Sequence, residues 1–568
     1  MNGYNNKYLL INLDDLTFEE EKIEDQILYD YLGGTGLSTY LLNKYSSNDD
    51  PLSPSNPLVF CSSPLTGTRL TTTSKYSIAT RSPLTNFIGD SMSSSYFADK
   101  LKKTGFDALV IRGKSNKYKL IKITNSKVEF LDATNIWGKT TSETESLLST
   151  NLGSDFSFAS IGPAGENLVR FAGIKNDGGR MAARTGVGAV MGSKNLKAIA
   201  VNGNQQIKIY NAQKINEIRK ELSIKSLGDS TEKYRTTGTT INMSLLNRLE
   251  MLPTRNFSES TFKESTKIEG ENLIKNHFSK KAHCANCTIG CEKIFVTNDN
   301  NDPITSRLEF QTTASLGSNL GINDPNWIIR ASSLCDDLGM DTISTGVTIS
   351  WAIEASNNGH LKEPIDISTE QKLLELIKNI AYRNSIGNLL AEGSKIASET
   401  IGNKSYLYAM HVKGLEIPSY DPRNLPALAL ALSVSTKGAC HNRASAYDID
   451  FNNKEIFIDP QIIAKKTKES EDYSAVLDSM IWCKFLRKSF DDFYYESSDI
   501  YSHLTGEIIS PEKLKIAGER INNLKKLFNI NNGWVRKDDN LPERLLKNKS
   551  KKNQIISNNF LDSMIDNY

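Results

Sequence analysis

The sequence predicts an α+β protein, a sheet-rich N-terminal part followed by two mainly helical parts. Three observations carry this. Short runs rich in β-branched and aromatic residues, punctuated by Gly, Ser, Thr and Pro, fill residues 1–208. From Asn211 onward, apolar residues recur at helical spacing over long stretches. The two patterns follow one another and do not alternate, so a run of βαβ units is not expected. A chain of 568 residues also exceeds what one hydrophobic core sustains. The patterns divide it into 1–208, 209–410 and 411–568.

In chain order, Tyr8–Leu13, Leu58–Phe60, Tyr76–Thr80, Ala108–Arg112, Lys119–Ile123 and Ala198–Val201 read as strands. Trp327–Leu338, Thr342–Ala355, Thr369–Tyr382 and Leu514–Phe528 read as helices. The loop Asn298–Asn301 and the lysine-rich stretch Arg544–Lys552 read as solvated surface.

Composition excludes several classes of function. Charged residues make up 24% with a net charge of +2, which gives no electrostatic footprint for nucleic acid or an anionic membrane. No apolar run reaches the roughly 18 residues of a membrane span, and Met1–Tyr8 lacks the charged and apolar regions of a signal peptide. Seven cysteines, three of them bunched, fit a reducing, cytoplasmic setting and metal binding better than a disulfide framework.

The strongest chemical signal is Cys284-x2-Cys287-x3-Cys291. Three bare thiolates this close would repel and oxidise; a metal centre neutralises them, and these spacings let three sulfurs converge on one face of an iron–sulfur cubane. A fourth ligand must then come from elsewhere, with Cys483 the best candidate and Cys440 second. Zinc is the rival, since His283 adjoins the group, but zinc loops come as paired half-sites and no second close pair is present. Cys61 and Cys335 sit in apolar contexts and read as core residues.

Two stretches resemble each other: Asp336-Asp-Leu-Gly-Met340-Asp341 and Asp478-Ser-Met-Ile-Trp482-Cys483. Each places an acid five residues before a second ligand or acceptor. An ionised carboxylate accepts two parallel hydrogen bonds from a planar amino-pyrimidine ring such as a pterin presents. The plainer alternative makes Asp336 a helix-surface acid and Asp341 an N-cap. Between Asp177 and Lys197, glycines accompany Arg180 and Arg184, four apart, which suits phosphate recognition or a turn with solvated arginines. It is neither a Walker loop nor a dinucleotide fingerprint. His441, in a polar loop with Lys437 and Arg443, reads as a proton donor near neutral pH.

Together these residues resemble the aldehyde:ferredoxin oxidoreductase family, from about Tyr8 to about Asn532. The most specific stretches are Ser63-Pro-Leu-Thr-Gly-Thr, Ala159-Ser-Ile-Gly-Pro-Ala-Gly-Glu-Asn-Leu-Val, Gly186-Val-Gly-Ala-Val-Met-Gly-Ser-Lys-Asn-Leu-Lys-Ala and Tyr420-Asp-Pro-Arg. The resemblance implies an N-terminal pair of sheets supporting two pterins that chelate one tungsten, or molybdenum in its place, with helical domains over it. It implies a [4Fe–4S] cluster on Cys284, Cys287, Cys291 and Cys483, and pterin contacts from Asp336, Met340, Asp341, Lys437, Arg443, Asp478 and Trp482. Arg180 and Arg184 fall at the pterin phosphates with a bridging Mg2+, beside Met181 and Ala183. Lys75 replaces an arginine between cluster and pterin, and Met92-Ser93-Ser94-Ser95 replaces an Asn-Ser-Gly-Gly-type stretch. His441 falls near the metal. Glu309-Phe-Gln311 replaces a Glu-Tyr-Glu signature, so Gln311 orients a substrate but is no general base.

The implied activity is oxidation of an aldehyde to a carboxylate, or its reverse, with ferredoxin or another iron–sulfur protein as partner and a homodimer allowed. Two other readings stand beside it: a low-potential acyl-thioester or aromatic-ring reductase on the same scaffold, and a cluster-only electron-transfer or scaffold subunit.

Overall fold

N-terminal strands buried on both faces build two sheets packed face to face. A computed structural model describes residues 1–125, 127–299, 302–452, 459–547 and 556–568; Asn300, Asn301 and residues 548–552 of the predicted surface stretches lie outside them. The first sheet contains β1 (Lys7–Asn12), β2 (Thr17–Lys22), β3 (Leu58–Cys61), β4 (Lys75–Arg81), β5 (Ile88–Ser94) and β6 (Ala108–Arg112), in the order β2-β1-β6-β3-β4-β5. The second contains β7 (Lys119–Thr124), β8 (Lys127–Asp132), β9 (Ser157–Ser160), β10 (Ile174–Asn176), β11 (Arg180–Ala182) and β12 (Leu196–Val201), in the order β11-β10-β9-β12-β7-β8. Among the described residues, only β1/β6 and β12/β7 pair in parallel.

Leu9, Ile11, Leu109 and Ile111 of the first sheet share a core with Ile121, Ile123, Ile174 and Ile199 of the second. Tyr8, Ala108 and Val110 face the other way, onto a core with Leu37 and Leu41 and the C-terminal Val476, Leu477 and Leu514. This alternation is what a strand period of two dictates when both faces are covered. The predicted strands correspond to β1, β3, β4, β6, β7 and β12. The others escaped sequence reading for physical reasons: β2 is a charged, exposed edge strand, Thr-Phe-Glu-Glu-Glu-Lys, and β5 is rich in Gly and Ser, neither of which carries a buried β pattern.

All four predicted helices are present, as Pro325–Leu338, Thr342–Asn357, Glu370–Tyr382 and Pro511–Asn531, with Asp324, Asp341, Thr369 and Ser510 as side-chain N-caps. One large apolar core takes residues from Leu84 to Ile565, with Val169 and Phe171 of the N-terminal part and residues on both sides of position 410. The second part is not purely helical. It contains an antiparallel sheet of β13 (Phe278–Ala282), β14 (Glu292–Val296) and β15 (Thr305–Arg307), and the cysteine motif is the β13–β14 connection. No described helix is long and apolar enough to cross a membrane.

Candidate functional site

The edge strands β5 and β11 bring the two sheets together beneath two adjoining cavities. The larger, about 520 Å³, is lined by Lys75, Met181, Ala183, Arg184, Gln311, Asp341, Lys437, His441, Arg443, Asp478 and Cys483. The smaller, about 270 Å³, is lined by Ser93, Ser94, Arg180, Met181, Ala183, Asp336, Met340 and Asp341. Met181, Ala183 and Asp341 belong to both, so the cavities share a wall. Of the candidate catalytic and cofactor-contacting residues, all but Trp482, Ser95 and the three-cysteine motif line one of the two cavities, and Cys61, Cys335 and His283 line neither.

The resemblance between the two acidic stretches is a resemblance of backbone. Asp336 occupies the last turn of Pro325–Leu338, and Asp478 the last turn of Pro460–Ser479. Three residues after each acid the chain turns left-handed, at Gly339 with φ 77° and at Ile481 with φ 68°. The next amide closes each helix identically: Met340 N–H donates to Cys335 O at 2.8 Å, and Trp482 N–H to Leu477 O at 2.9 Å. These are the long bonds of a Schellman end. Glycine takes the turn without strain, but a β-branched isoleucine there is an outlier of the kind held in place at functional sites. Gly34, with φ +40°, packs against this second turn; a Cβ there would lie 2.4 Å from Asp478 O. The result is one acid per cavity, presented from equivalent helix ends.

The two acids differ electrically. Burial pushes Asp336 up to about 6, with Lys175 and Arg307 opposing. Asp478, 2% exposed, is gripped by Arg443, with Lys484 at 3.6 Å. Arg443 also reaches Asp90 Oδ1 at 2.6 Å, and Asp90 in turn accepts from Lys525 at 2.8 Å and Thr35 at 2.6 Å. Burial opposes ionisation of Asp90, yet Arg443, Lys525 and Lys437 hold it well below the usual carboxylate range. Nothing in the local sequence Gly89-Asp90-Ser91 signals this role; only the fold brings the partners from residues 35, 443 and 525 together.

Around the acids is a surplus of cations. Arg184 is not a solvated turn residue: it donates to Asp341 at 3.1 Å and to Ala439 O at 2.9 Å, and also to Glu416 O. Asp341 accepts Ser344 N–H at 2.9 Å as well, so it is both helix cap and cavity residue. Arg180 faces Glu292 at 3.3 Å, but its buried Nε has no hydrogen-bond partner. The Nε of Arg443 is likewise buried and unpartnered. Trp482 lines neither cavity; its ring packs edge-on to Phe490 in the core, with a buried, unpartnered indole N–H.

Lys75 connects cavity and cysteines. It pairs across the sheet with Ser94, whose Oγ lies 3.2 Å from Cys284 Sγ. Burial disfavours the Lys75 charge, but Cys483, Asp478, Cys284 and Cys291 outweigh it and raise its pKa. The cysteine loop is fixed at its rim: Asn286 donates to Asp99 at 2.9 Å, and Thr288 Oγ1 meets Thr71 and Ser226, each at 2.6 Å. Burial pushes the Cys287 thiol up to about 11, with Cys483 and Cys284 adding, and raises Cys291 further, with Glu309 adding. Cys440 has different neighbours, Lys437, Arg443 and Arg184, within the larger cavity. Among the described residues no three His, Cys, Asp or Glu side chains are arranged to hold a single ion. A lone tetrahedral zinc demands sulfurs within ~4 Å of one another; a cubane binds each thiolate to a different iron and sets them wider. The buried thiols of Cys287 and Cys291, which resist ionisation without a cation and have Cys284 and Cys483 as neighbours, beside cation-rich cavities with unpartnered donors, fit a cluster and an anionic cofactor.

Burial, with Arg184, Lys484 and Lys437, pushes His441 down to about 3, so with no anionic group in the cavity its imidazole is neutral. Gln311 accepts Ser419 N–H at 2.7 Å through its Oε1, which leaves its buried Nε2 unpartnered at the cavity wall.

Comparisons with known proteins agree with this architecture. The family described as "Aldehyde ferredoxin oxidoreductase, N-terminal domain" matches residues 8–203, and "Aldehyde ferredoxin oxidoreductase, domains 2 & 3" matches residues 215–568. The chain is 36% identical to a tungsten-containing aldehyde ferredoxin oxidoreductase of Pyrococcus furiosus, over 96% of this chain and 92% of that protein. It is 30% identical to the WOR-like subunit of an aliphatic sulfonate oxidoreductase of the same organism, over 96% and 90%. Among solved structures it resembles the active-site complex BamBC of benzoyl coenzyme A reductase, with a TM-score of 0.85 over 100% of this chain and 94% of that one. At 23% identity this is a likeness of fold.

Proposed function

The chain belongs to the aldehyde ferredoxin oxidoreductase family, and from that premise we propose that it oxidises aldehydes to carboxylates with ferredoxin as electron acceptor. The observation that carries this reading is the pair of equivalent helix ends, each presenting one acid, Asp336 or Asp478, to one of two adjoining cavities. Two like acceptors suit two copies of one planar amino-pyrimidine group, which is what a bis-pterin offers.

In this reading Asp336 and Asp478 would hold the two pterins, and Arg180, Arg184, Lys437 and Arg443 would receive their phosphates. Met181, Ala183, Ser93 and Ser94 would supply backbone and hydroxyl contacts there and to a Mg2+. Cys284, Cys287, Cys291 and Cys483 would hold a [4Fe–4S] cluster, with Lys75 beside it. When bound, the tungsten, or molybdenum in its place, supplies two-electron redox chemistry and the cluster releases electrons singly. The chain's own residues do the rest. Gln311 directs its Nε2–H at the substrate oxygen and cannot remove a proton. Neutral His441 contributes a hydrogen bond, and an anionic cofactor close to Arg184 and Lys437 would raise its pKa toward neutrality.

Metal analysis of protein purified without oxygen tests this. The expected result is tungsten or molybdenum together with about four irons per chain. Iron alone, from a host able to make the pterin, would overturn the pterin-enzyme reading. A pH dependence follows from Asp336. Its carboxyl accepts two hydrogen bonds only when ionised, so retention of the pterin should weaken as pH falls through about 6. Asp336→Asn should release pterin at every pH, read as fluorescence of the oxidised pterin in the filtrate. A flat retention curve in the parent would contradict the assignment.

A further inference from the structure

The larger cavity runs from a buried floor to an open mouth. Lys75, Asp341, Lys437, Cys440 and Asp478 are at the floor and have little or no exposure, whereas Lys233, Leu245, Asn442 and Lys488 are exposed where the cavity meets solvent. The wall between is aromatic. Tyr420 lies 5.3 Å from the His441 ring and stacks on Tyr447 at 5.1 Å and 6°. Phe451 follows, 6.5 Å from Tyr447. Tyr234 and Phe485, also in the lining, stack at 4.2 Å.

Charge at the mouth is unbalanced. Arg487 donates to Asp448 at 3.0 and 2.6 Å, and Lys488 approaches the same carboxylate at 3.7 Å. Lys233 makes no ion pair among the described residues; its ammonium lies 5.0 Å from the Tyr234 ring. Lys233, Arg487 and Lys488 surround one lining acid, Asp448, which is already engaged; Glu309, also in the lining and partly exposed, accepts from Thr239 at 2.7 Å and faces Arg180 at 3.8 Å. Partial burial and then Arg487 disfavour the Lys233 charge, with Asp448 opposing, so an added anion beside it would favour the charged form. The floor supplies its own partners for its charges, Arg443 for Asp478 and Arg184 for Asp341, so the surplus at the mouth is not spent there.

We propose that the substrates are flat, aromatic aldehydes bearing an anionic group remote from the carbonyl. The carbonyl reaches Gln311 and His441, the ring lies along Tyr420 and Tyr447, and the carboxylate or phosphate is received by Lys233 beside Arg487. This rests on the aldehyde oxidation proposed above and adds the chemical class. A cationic mouth with low-dielectric aromatic walls also concentrates anions before they bind.

The test compares 4-carboxybenzaldehyde with its uncharged methyl ester, using the loaded enzyme and an artificial electron acceptor. The expected kcat/KM favours the acid about three- to tenfold at low ionic strength. The preference should shrink with salt, vanish in Lys233→Glu and survive in Lys233→Arg. 4-Formylphenyl phosphate separates the two anions: a larger preference for it assigns phosphate, a smaller one carboxylate. Terephthalate, the dicarboxylate product, should raise the denaturation midpoint of the parent and not of Lys233→Glu, a readout independent of turnover. Equal rates for acid and ester, or a preference that Lys233→Glu leaves intact, overturns the proposal. If terephthalate binds through Lys233 but no aldehyde is oxidised, the anion site stands and the aldehyde reading falls.

Discussion

Replacing Cys291 by serine is expected to strip iron from the purified protein and to abolish dye-linked and ferredoxin-linked aldehyde oxidation together. Burial, Glu309 and the neighbouring cysteines Cys483 and Cys284 raise the Cys291 thiol, and Arg180 does not offset them. In the metal-free protein, then, the thiol keeps its proton, and only a bound cationic cluster makes the thiolate favourable. A serine hydroxyl is far harder to deprotonate and is a poor ligand for iron. Because the metal-free parent gains nothing from a charged Cys291, metal-free parent and metal-free Cys291→Ser should unfold at nearly the same temperature. The loaded parent should stand well above both, by the free energy of binding a ligand to the folded state alone. Cys440→Ser is the matched control: its neighbours are Lys437, Arg443 and Arg184 and not the other cysteines, so iron should remain. Full iron with an unchanged visible spectrum in Cys291→Ser would show the ligand set to be wrong, and zinc in place of iron in the parent would revive the rival site.

How much of this was legible beforehand depends on how local the cause was. The Cys284–Cys291 spacing and the two similar acidic stretches are local and could be read directly. Their common geometry, a Schellman end after each acid, was half visible: Gly339 announces a left-handed turn, but Ile481 does not, since nothing about isoleucine suggests φ 68°. Strand β4 stood out because both its faces are buried, whereas β5 beside it did not, although β5 carries Ser93 and Ser94 to the site. A cavity edge needs small polar residues, and those erase the hydrophobic period that marks a strand. The setting of His441 was hidden for a related reason. Its local sequence is polar, but the burial that opposes its charge is made by the fold, and Arg184 and Lys484, which add to it, come from far along the chain. Asp90 and Lys233 were missed outright, because each matters only through partners that the fold assembles.

Arg443 concentrates that long-range logic, and Arg443→Met should be the most damaging substitution among the cavity cations. Methionine fills much of the same volume but leaves two carboxylates behind. Asp90 keeps Lys525 and Thr35. Asp478 keeps only Lys484, at 3.6 Å. Both acids are 2% exposed, so water cannot replace the guanidinium, and breaking a buried pair by removing one partner destabilises by roughly 3–5 kcal/mol. The pH profile carries a sign. Asp90 has a depressed folded pKa, so its pairing contributes stability above the ordinary carboxylate pKa of about 4, and that contribution is lost as pH falls through the lower folded value. The deficit of Arg443→Met should accordingly be largest at neutral pH and shrink below about pH 4. Adding Asp478→Asn to Arg443→Met removes the stranded charge, so the double variant should recover part of the lost stability, a coupling that two independent sites would not show. Pterin retention should not recover with it, because the acceptor itself is gone. Stability regained without cofactor would separate the two tasks of this cluster, holding the second helix end in place and presenting Asp478 to a ligand. A double variant no more stable than Arg443→Met would mean that Asp478 does not depend on Arg443 for its burial.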